Sequence, residues 1–255
     1  FHVNPFSNSQ ITKLMSLILC IETSTKCCSV ALTQNGNLLS LTESLDENFS
    51  HSENLTLYIE EVCKQATIHL ENVDAIAVSK GPGSFTGLRI GVSTAKGLCY
   101  ALDKPLIAIN SLKTMALDGS SHPSSAFRHP SFFCPMIDAR RMEVYCALYD
   151  NNLNEIYPTS AEIVDENFIH KILKSNDLLL SSKIYFFGDG AEKCKAKITH
   201  PSVIFVPNIH PSAKFMAPLA EKLFTEKKFE DVAYFEPFYL KDFFSPSISP
   251  KKERI

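Results

Sequence analysis

The residues best placed to do chemistry lie between positions 81 and 91. There Gly81-Pro82-Gly83-Ser84-Phe85-Thr86-Gly87-Leu88-Arg89-Ile90-Gly91 follows the β-branched apolar run Val73-Asp74-Ala75-Ile76-Ala77-Val78. The pattern predicts a strand, a glycine loop and a long apolar helix ending near Leu102. Such a loop sets free backbone N–H groups at the positive end of a helix dipole, which suits phosphates and other anions. It lacks the Lys-Ser/Thr pair of a Walker loop and the Gly-x-Gly-x-x-Gly spacing of a dinucleotide fold. A tight turn that lets a helix pack closely on a sheet accounts for the same residues. His51 lies between Ser50 and Ser52. Neighbours in sequence seldom meet as triad members do, and helix capping explains both serines.

Metal chemistry has no visible seat. The eight histidines show neither His-Glu-x-x-His nor His-x-x-x-His spacing, and the eight cysteines form no Cys-x-x-Cys pair. Those cysteines fall mostly inside apolar patterns and read as reduced, buried thiols of a cytoplasmic protein. A chain of 255 residues with 45% hydrophobic content can build one large or two small cores. Arg89 and Lys96 interrupt the best apolar run, so a membrane span is not expected. The net charge of −3 predicts weak RNA binding by the chain alone, because that affinity comes largely from neutralising phosphates. Arg140-Arg141 and Lys193, Lys195 and Lys197 are the basic spots.

The elements that would position these residues recur in one order. Strands over 17–22, 28–33 and 38–44 form a meander with an Asn35-Gly36 hairpin signal. Ser50-His51-Ser52-Glu53 fits a capping box, and Leu55, Tyr58, Ile59, Val62, Ala66 and Leu70 mark one helical face. A strand over 73–79, a helix over 86–102, a strand over 105–110 and a short helix over 111–117 follow. After a Ser/Pro/His-rich surface connection come strands over 132–138, 143–149 and 155–158, a helix over 165–174, a strand over 184–187, the turn Gly188-Asp189-Gly190 and a helix over 191–198. The repeated β-β-β-α-β-α order predicts two stacked α/β subdomains with a cleft between them. The expected organisation is a disordered extension over 1–14, an N-terminal subdomain over 15–117 completed by a last helix at 211–228 that Pro211 opens, a C-terminal subdomain over 118–210, and a flexible tail over 242–255. Gly87, Gly91 and Ala95 recur every fourth residue, with Ile90, Thr94 and Leu98 beside them, and this stripe would let another helix come close.

These residues closely resemble the TsaB family. The resemblance is carried by Ile18-Leu19-Cys20-Ile21-Glu22-Thr23-Ser24-Thr25, Ser29-Val30-Ala31-Leu32, His51-Ser52-Glu53, the 81–91 loop, Asp138-Ala139-Arg140-Arg141, Glu143-Val144-Tyr145, Gly188-Asp189-Gly190-Ala191 and Glu236-Pro237-Phe238-Tyr239-Leu240. It implies the duplicated actin, hexokinase and Hsp70-like (ASKHA) fold. It also implies a noncatalytic subunit of the machinery that makes N6-threonylcarbamoyladenosine next to the tRNA anticodon. The transfer itself is implied to be done by a partner, TsaD, with the ATPase TsaE joining the complex. This chain would then hold no cofactor alone, ATP or ADP and metal belonging to the partner complex, and would meet tRNA only through that complex. By the same resemblance, the helices over 51–70 and 86–102 pair with TsaD, or with a second copy, through Leu55, Tyr58, Ile59, Val62, Gly87, Ile90, Gly91, Thr94, Ala95 and Leu98. Glu22, Ser24, Asp138, Gly188, Asp189 and Gly190 would outline a vestigial nucleotide cleft, in which the bulky Ala139-Arg140-Arg141-Met142 replaces a glycine-rich phosphate hairpin. Two alternatives stay open: an ATP-dependent small-molecule kinase of this fold, and a glycoprotease-like peptidase.

Overall fold

The computed structural model describes residues 16–45, 51–121, 131–174, 176, 179 and 182–241. The expected extension over 1–14, the tail over 242–255, Ser50 of the capping box and most of the Ser/Pro/His-rich connection lie outside the described residues.

The first unit opens as a meander of β1 (Leu17–Glu22), β2 (Cys27–Gln34) and β3 (Asn37–Leu45). Asn35 and Gly36 turn the β2–β3 hairpin with both φ angles positive, at 51° and 75°, the twist that a two-residue hairpin needs. Helix α1 (His51–Ala66), strand β4 (Ala75–Gly81), helix α2 (Phe85–Leu102) and strand β5 (Leu106–Asn110) follow. Strand β4 runs parallel to β1 and β5 parallel to β4, giving the order β3-β2-β1-β4-β5. Helix α3 (Ser111–Ser121) leads away.

The second unit repeats the plan with β6 (Ser131–Asp138), β7 (Glu143–Tyr149), β8 (Glu155–Ile163), α4 (Phe168–Leu173), β9 (Lys183–Phe187), α5 (Asp189–Cys194) and β10 (Val203–Phe205). Its order, β10-β9-β6-β7-β8, has the same parallel and antiparallel neighbours as the first. A short 3-10 turn (Ala213–Met216) and α6 (Ala217–Thr225) come last. This is the duplicated actin, hexokinase and Hsp70-like architecture.

Both central strands, Leu-Ile-Leu-Cys-Ile-Glu in β1 and the run through Ile137 in β6, are buried on both faces, as the middle of a covered sheet requires. Leu19, Ile21 and Val30 pack with Leu55, Ile59 and Val62 of α1 and Val92 and Ala95 of α2. The other face of the first sheet carries the small residues Cys20, Ala31, Ala75 and Ala77, against Ala213, Met216 and Ala220. The capping helices are crossed. Helix α3 follows the first sheet but packs Leu112, Met115 and Ala116 on Phe133, Ile137 and Phe187 of the second, while α6 returns to cover the first.

Several local expectations need correction: α1 ends at Ala66 and Leu70 starts a separate 3-10 turn, α4 begins only at Phe168, and α5 runs from Asp189 to Cys194. Helix α3 continues to Ser121, and β8 runs to Ile163 through two bulges. Strand β10 had no periodic signal, and it exists by pairing with β9. Pro211 does not open the last helix; Pro218, in the first turn of α6, occupies that role.

Candidate partner face and remnant cleft

The 81–91 loop spends its polar groups on its own chain. Ser84 donates its N–H to the Ser24 carbonyl at 2.6 Å. It also caps α2 by accepting the Gly87 N–H at 3.3 Å. A Cβ added at Gly83 would stand 2.2 Å from the Ser24 oxygen. The glycine is therefore needed because two loops touch, and no anion has to be invoked.

The same explanation covers the expected helix stripe, and it overturns part of that expectation. Thr23 donates its hydroxyl to the Gly87 carbonyl at 2.8 Å, and a Cβ at Gly91 would meet Thr23 Oγ1 at 2.2 Å. Gly87, Gly91 and Ala95 thus face the chain's own β1–β2 loop and sheet and are buried there. Leu55, Ile59 and Val62 are equally buried in the first core. None of these six can touch a partner in this conformation. Tyr58, Ile90, Thr94 and Leu98 remain partly exposed.

What α2 turns outward is a second stripe of small residues that the sequence reading missed. Ser93, Gly97 and Ala101 recur every fourth position and are exposed, and a Cβ on Gly97 meets nothing within 4 Å. Around them stand Ile90, Thr94, Leu98 and the 88%-exposed Tyr100, while Leu57 on neighbouring α1 is 59% exposed. A low ridge flanked by apolar side chains is the shape that another helix can approach closely. Four-residue spacing was the usable signal for this stripe, but the helix has two such rows. Only the side taken by the sheet tells them apart.

The residues of the expected cleft occupy the ends of the two sheets. Glu22, 0% exposed, ends β1; its Oε1 accepts the Ser24 N–H at 2.7 Å. Among the described residues, Glu22 Oε2, Ser24 Oγ and Ser111 Oγ find no hydrogen-bond partner. Burial pushes the Glu22 carboxyl above its ordinary value of 4.5. On the other sheet Asp138 ends β6, pairs with Lys193 and accepts the Arg140 N–H at 2.7 Å. Asp189 Oδ1 accepts the Asp138 N–H at 3.0 Å. A Cβ at Gly188 would lie 2.2 Å from the Met136 oxygen, and one at Gly190 2.8 Å from the Ile137 carbonyl carbon. These glycines let the turn sit tightly on β6.

The polar side chains at these two turns are engaged with one another. The hairpin that would wrap phosphates carries Arg140 and Arg141 with left-handed φ of 69° and 50°, and the carboxylate before it is already held by Lys193. Glu22 is sealed from any ligand in the cleft. The cavity beside the Gly188 turn, lined by Phe205, Val206 and His210, is about 230 Å³, and a neighbouring one lined by Cys27, Glu43, His210 and Lys214 is about 320 Å³, at the lower end of the roughly 300–1,000 Å³ of ordinary ligand sites. Among the described residues, no group of three or more His, Cys, Asp or Glu side chains is placed to hold a metal ion, and no helix is long and apolar enough to cross a membrane.

Comparison with known proteins agrees with this geometry. The chain is 29% identical over 240 residues to the tRNA threonylcarbamoyladenosine biosynthesis protein TsaB of Escherichia coli K12, covering 92% of this chain and 99% of the relative. It is 35% identical over 134 residues to the Bacillus subtilis protein of the same name, covering 52% and 54%. The fold superposes on YeaZ from Pseudomonas aeruginosa with a TM-score of 0.76 at 24% identity, covering 89% of this chain and all of that one. Residues 48–243 match the model of the family described as TsaD, tRNA N6-adenosine threonylcarbamoyltransferase. With two matched sheets, a family model that spans most of the chain and relatives that align almost end to end, the chain belongs to the tRNA N6-adenosine threonylcarbamoyltransferase family and within it is a TsaB-like protein.

Proposed function

We propose that this chain is a noncatalytic partner subunit in the synthesis of N6-threonylcarbamoyladenosine on tRNA. It pairs with a TsaD transferase through the outer face of α2 and the neighbouring Leu57, and TsaE joins the assembled complex. The observation that carries this reading is the exposed Ser93-Gly97-Ala101 ridge with Ile90, Leu98 and Tyr100 around it, in a chain whose cleft residues are tied to one another. The mechanism is conformational: docking selects the competent state of the transferase. The chain acts without a nucleotide or metal of its own.

The test is Gly97→Arg in a reconstituted threonylcarbamoyl transfer with TsaD and TsaE. Arginine is the better helix former by roughly 1 kcal/mol, and its side chain has open space, so the variant should fold at least as well as the parent. Loss of pairing in size-exclusion chromatography together with loss of transfer is expected. A variant that fails to pair while transfer continues at the parent rate would reject the partner role. Tight binding and turnover of ATP by the isolated chain would favour the kinase alternative.

A further inference from the structure

The α2 ridge does not account for the β6–β7 hairpin. Arg140 and Arg141 turn that hairpin with φ of 69° and 50°, where glycine or asparagine is normal and a long side chain is strained. Both side chains are exposed, and among the described residues neither guanidinium has a carboxylate at ion-pair distance. The fold explains the turn, which Asp138 and Glu143 close by accepting the Arg140 N–H and donating to the Arg140 carbonyl, but not the use of two arginines where glycine or asparagine would serve without strain.

The hairpin does not stand alone. Lys241 joins it by donating to the Ala139 carbonyl at 3.3 Å and pairing with Glu143, and its ammonium lies 5.8 Å from the Tyr145 ring centre. Two residues earlier Tyr239 stands against Phe85, ring centres 4.7 Å apart, and Arg89 lies over the same Phe85 ring at 4.7 Å. Two groups of cations and aromatic rings, Arg89 with Phe85 and Tyr239 at the start of α2 and Lys241 with Tyr145 at the hairpin, are thus joined into one band by the two-residue step from Tyr239 to Lys241. Its acidic neighbours are Asp138, held by Lys193, Asp189, which accepts the Asp138 N–H, Glu143, held by Lys241, and the exposed Glu236. Alternating arginine and aromatic groups suit a polyanion whose charges are spaced by flat rings, which is single-stranded or loop RNA.

We infer that the Arg140–Arg141 hairpin and the band reaching from it to Arg89 form a contact for the phosphate backbone of RNA. This deepens the partner reading above: a band that begins at the foot of the docking helix would extend the RNA surface of the assembled complex, although the chain's net charge of −3 keeps its own affinity low.

The test measures binding of an unmodified tRNA transcript to the complex with TsaD across a salt series. In the double variant Arg140→Gly/Arg141→Gly the charges go while the positive φ is relieved, so thermal stability should hold or rise and pairing should persist. Affinity near 0.1 M salt should fall about tenfold, and the slope of log K against log salt should shrink by about 1–2, since each phosphate contact contributes roughly 0.7–0.9. Arg140→Lys/Arg141→Lys should recover most of both. Removing Lys222 and Lys227, exposed cations outside the band, should leave the slope unchanged. An unchanged slope in the glycine variant, an equal loss in the Lys222/Lys227 variant, or loss of TsaD pairing by the glycine variant would each overturn the RNA assignment, the last by making the hairpin a protein contact. If the parent chain forms no complex, the partner reading falls, and the same series on the chain alone still decides this one.

Discussion

Gly91 and Gly97 differ only in which way they point, and that decides what each does. At Gly91 a methyl group would enter within 2.2 Å of Thr23 Oγ1 and force apart the helix and the loop that carries Thr23, whose hydroxyl donates to Gly87 of that helix. Gly91→Ala should therefore lower stability by about 1–3 kcal/mol, as overpacking does, read as a lower urea midpoint. Gly97→Ala should be neutral or stabilising by up to about 1 kcal/mol. If the two alanine variants proved equally stable, α2 would not be seated as described. Glu22 makes a different prediction. Its buried carboxyl is harder to ionise in the fold than in the unfolded chain, so the folded state holds its proton to higher pH. The sign follows from linkage: stability contributed by the neutral acid is complete below about 4.5, the unfolded value, and is lost as pH rises toward the raised folded value. Glu22→Gln keeps the shape without the charge. Its unfolding free energy should gain on the parent as pH increases from 4 to 7, and parallel curves would contradict this account.

Periodicity tells which residues share a face and says nothing of which neighbour covers that face. That limit explains where the reading of the elements succeeded and failed. The Asn35-Gly36 hairpin, the two β-β-β-α-β-α units and the strand, glycine loop and helix around 73–102 were legible, because turn chemistry and alternation are local. Helix α2 is apolar around most of its girth, so the sequence reading offers the row 87-91-95 as the outward one and passes over the row 93-97-101, because only the sheet decides which row it claims. Strand β10 is three residues long and half exposed, and its hydrogen bonds come from β9 rather than from any pattern of its own. The segment after Glu230 was read for its Glu-Pro-Phe-Tyr-Leu motif but not for its path. It crosses the first unit as a strap: Lys96 donates to the Ala233 and Phe235 carbonyls at 3.1 and 3.0 Å, and the Phe238 N–H donates to the Lys80 carbonyl at 2.7 Å. Lys96→Met keeps the aliphatic stem and deletes both side-chain bonds. At roughly 1 kcal/mol each, their loss should speed amide hydrogen exchange across 232–239 by about tenfold or more, with β1 and β4 unchanged. Equal protection of the strap in both proteins would show that Lys96 does not hold it.

The crossed helices make the two similar units depend on each other. Asn110 ends β5, caps α3 by accepting the Leu112 and Lys113 N–H groups at 2.9 and 3.2 Å, and donates across to Thr159 Oγ1 in β8 at 3.2 Å. The return is anchored as firmly: Ser212 donates its hydroxyl to Glu43 at 2.5 Å, the Ala213 N–H donates to Ser29 Oγ at 2.9 Å, and Glu221 on α6 accepts from Ser16. Neither sheet is covered on both faces without an element contributed from beyond its own unit, so neither should remain folded when the other opens. Helix α3 offers a place to test this. A Cβ at Gly119 would lie 2.4 Å from the far edge of the Phe187 ring, and Phe187 is fully buried in the second core, so Gly119→Ala must displace that ring or lift the helix. The cost should be about 1–3 kcal/mol, a fall in Tm of about 2–4 °C per kcal/mol for a chain of this size. The distinguishing measurement is native-state hydrogen exchange. If the halves unfold as one, core amides of β1 and β4, which Gly119 does not touch, should lose the same protection free energy as those of β6 and β9. Protection lost in the second sheet alone would mean two independent folding units joined at a cleft, and docking through α2 would then leave the β6–β7 hairpin free to move relative to the transferase rather than held in register with it.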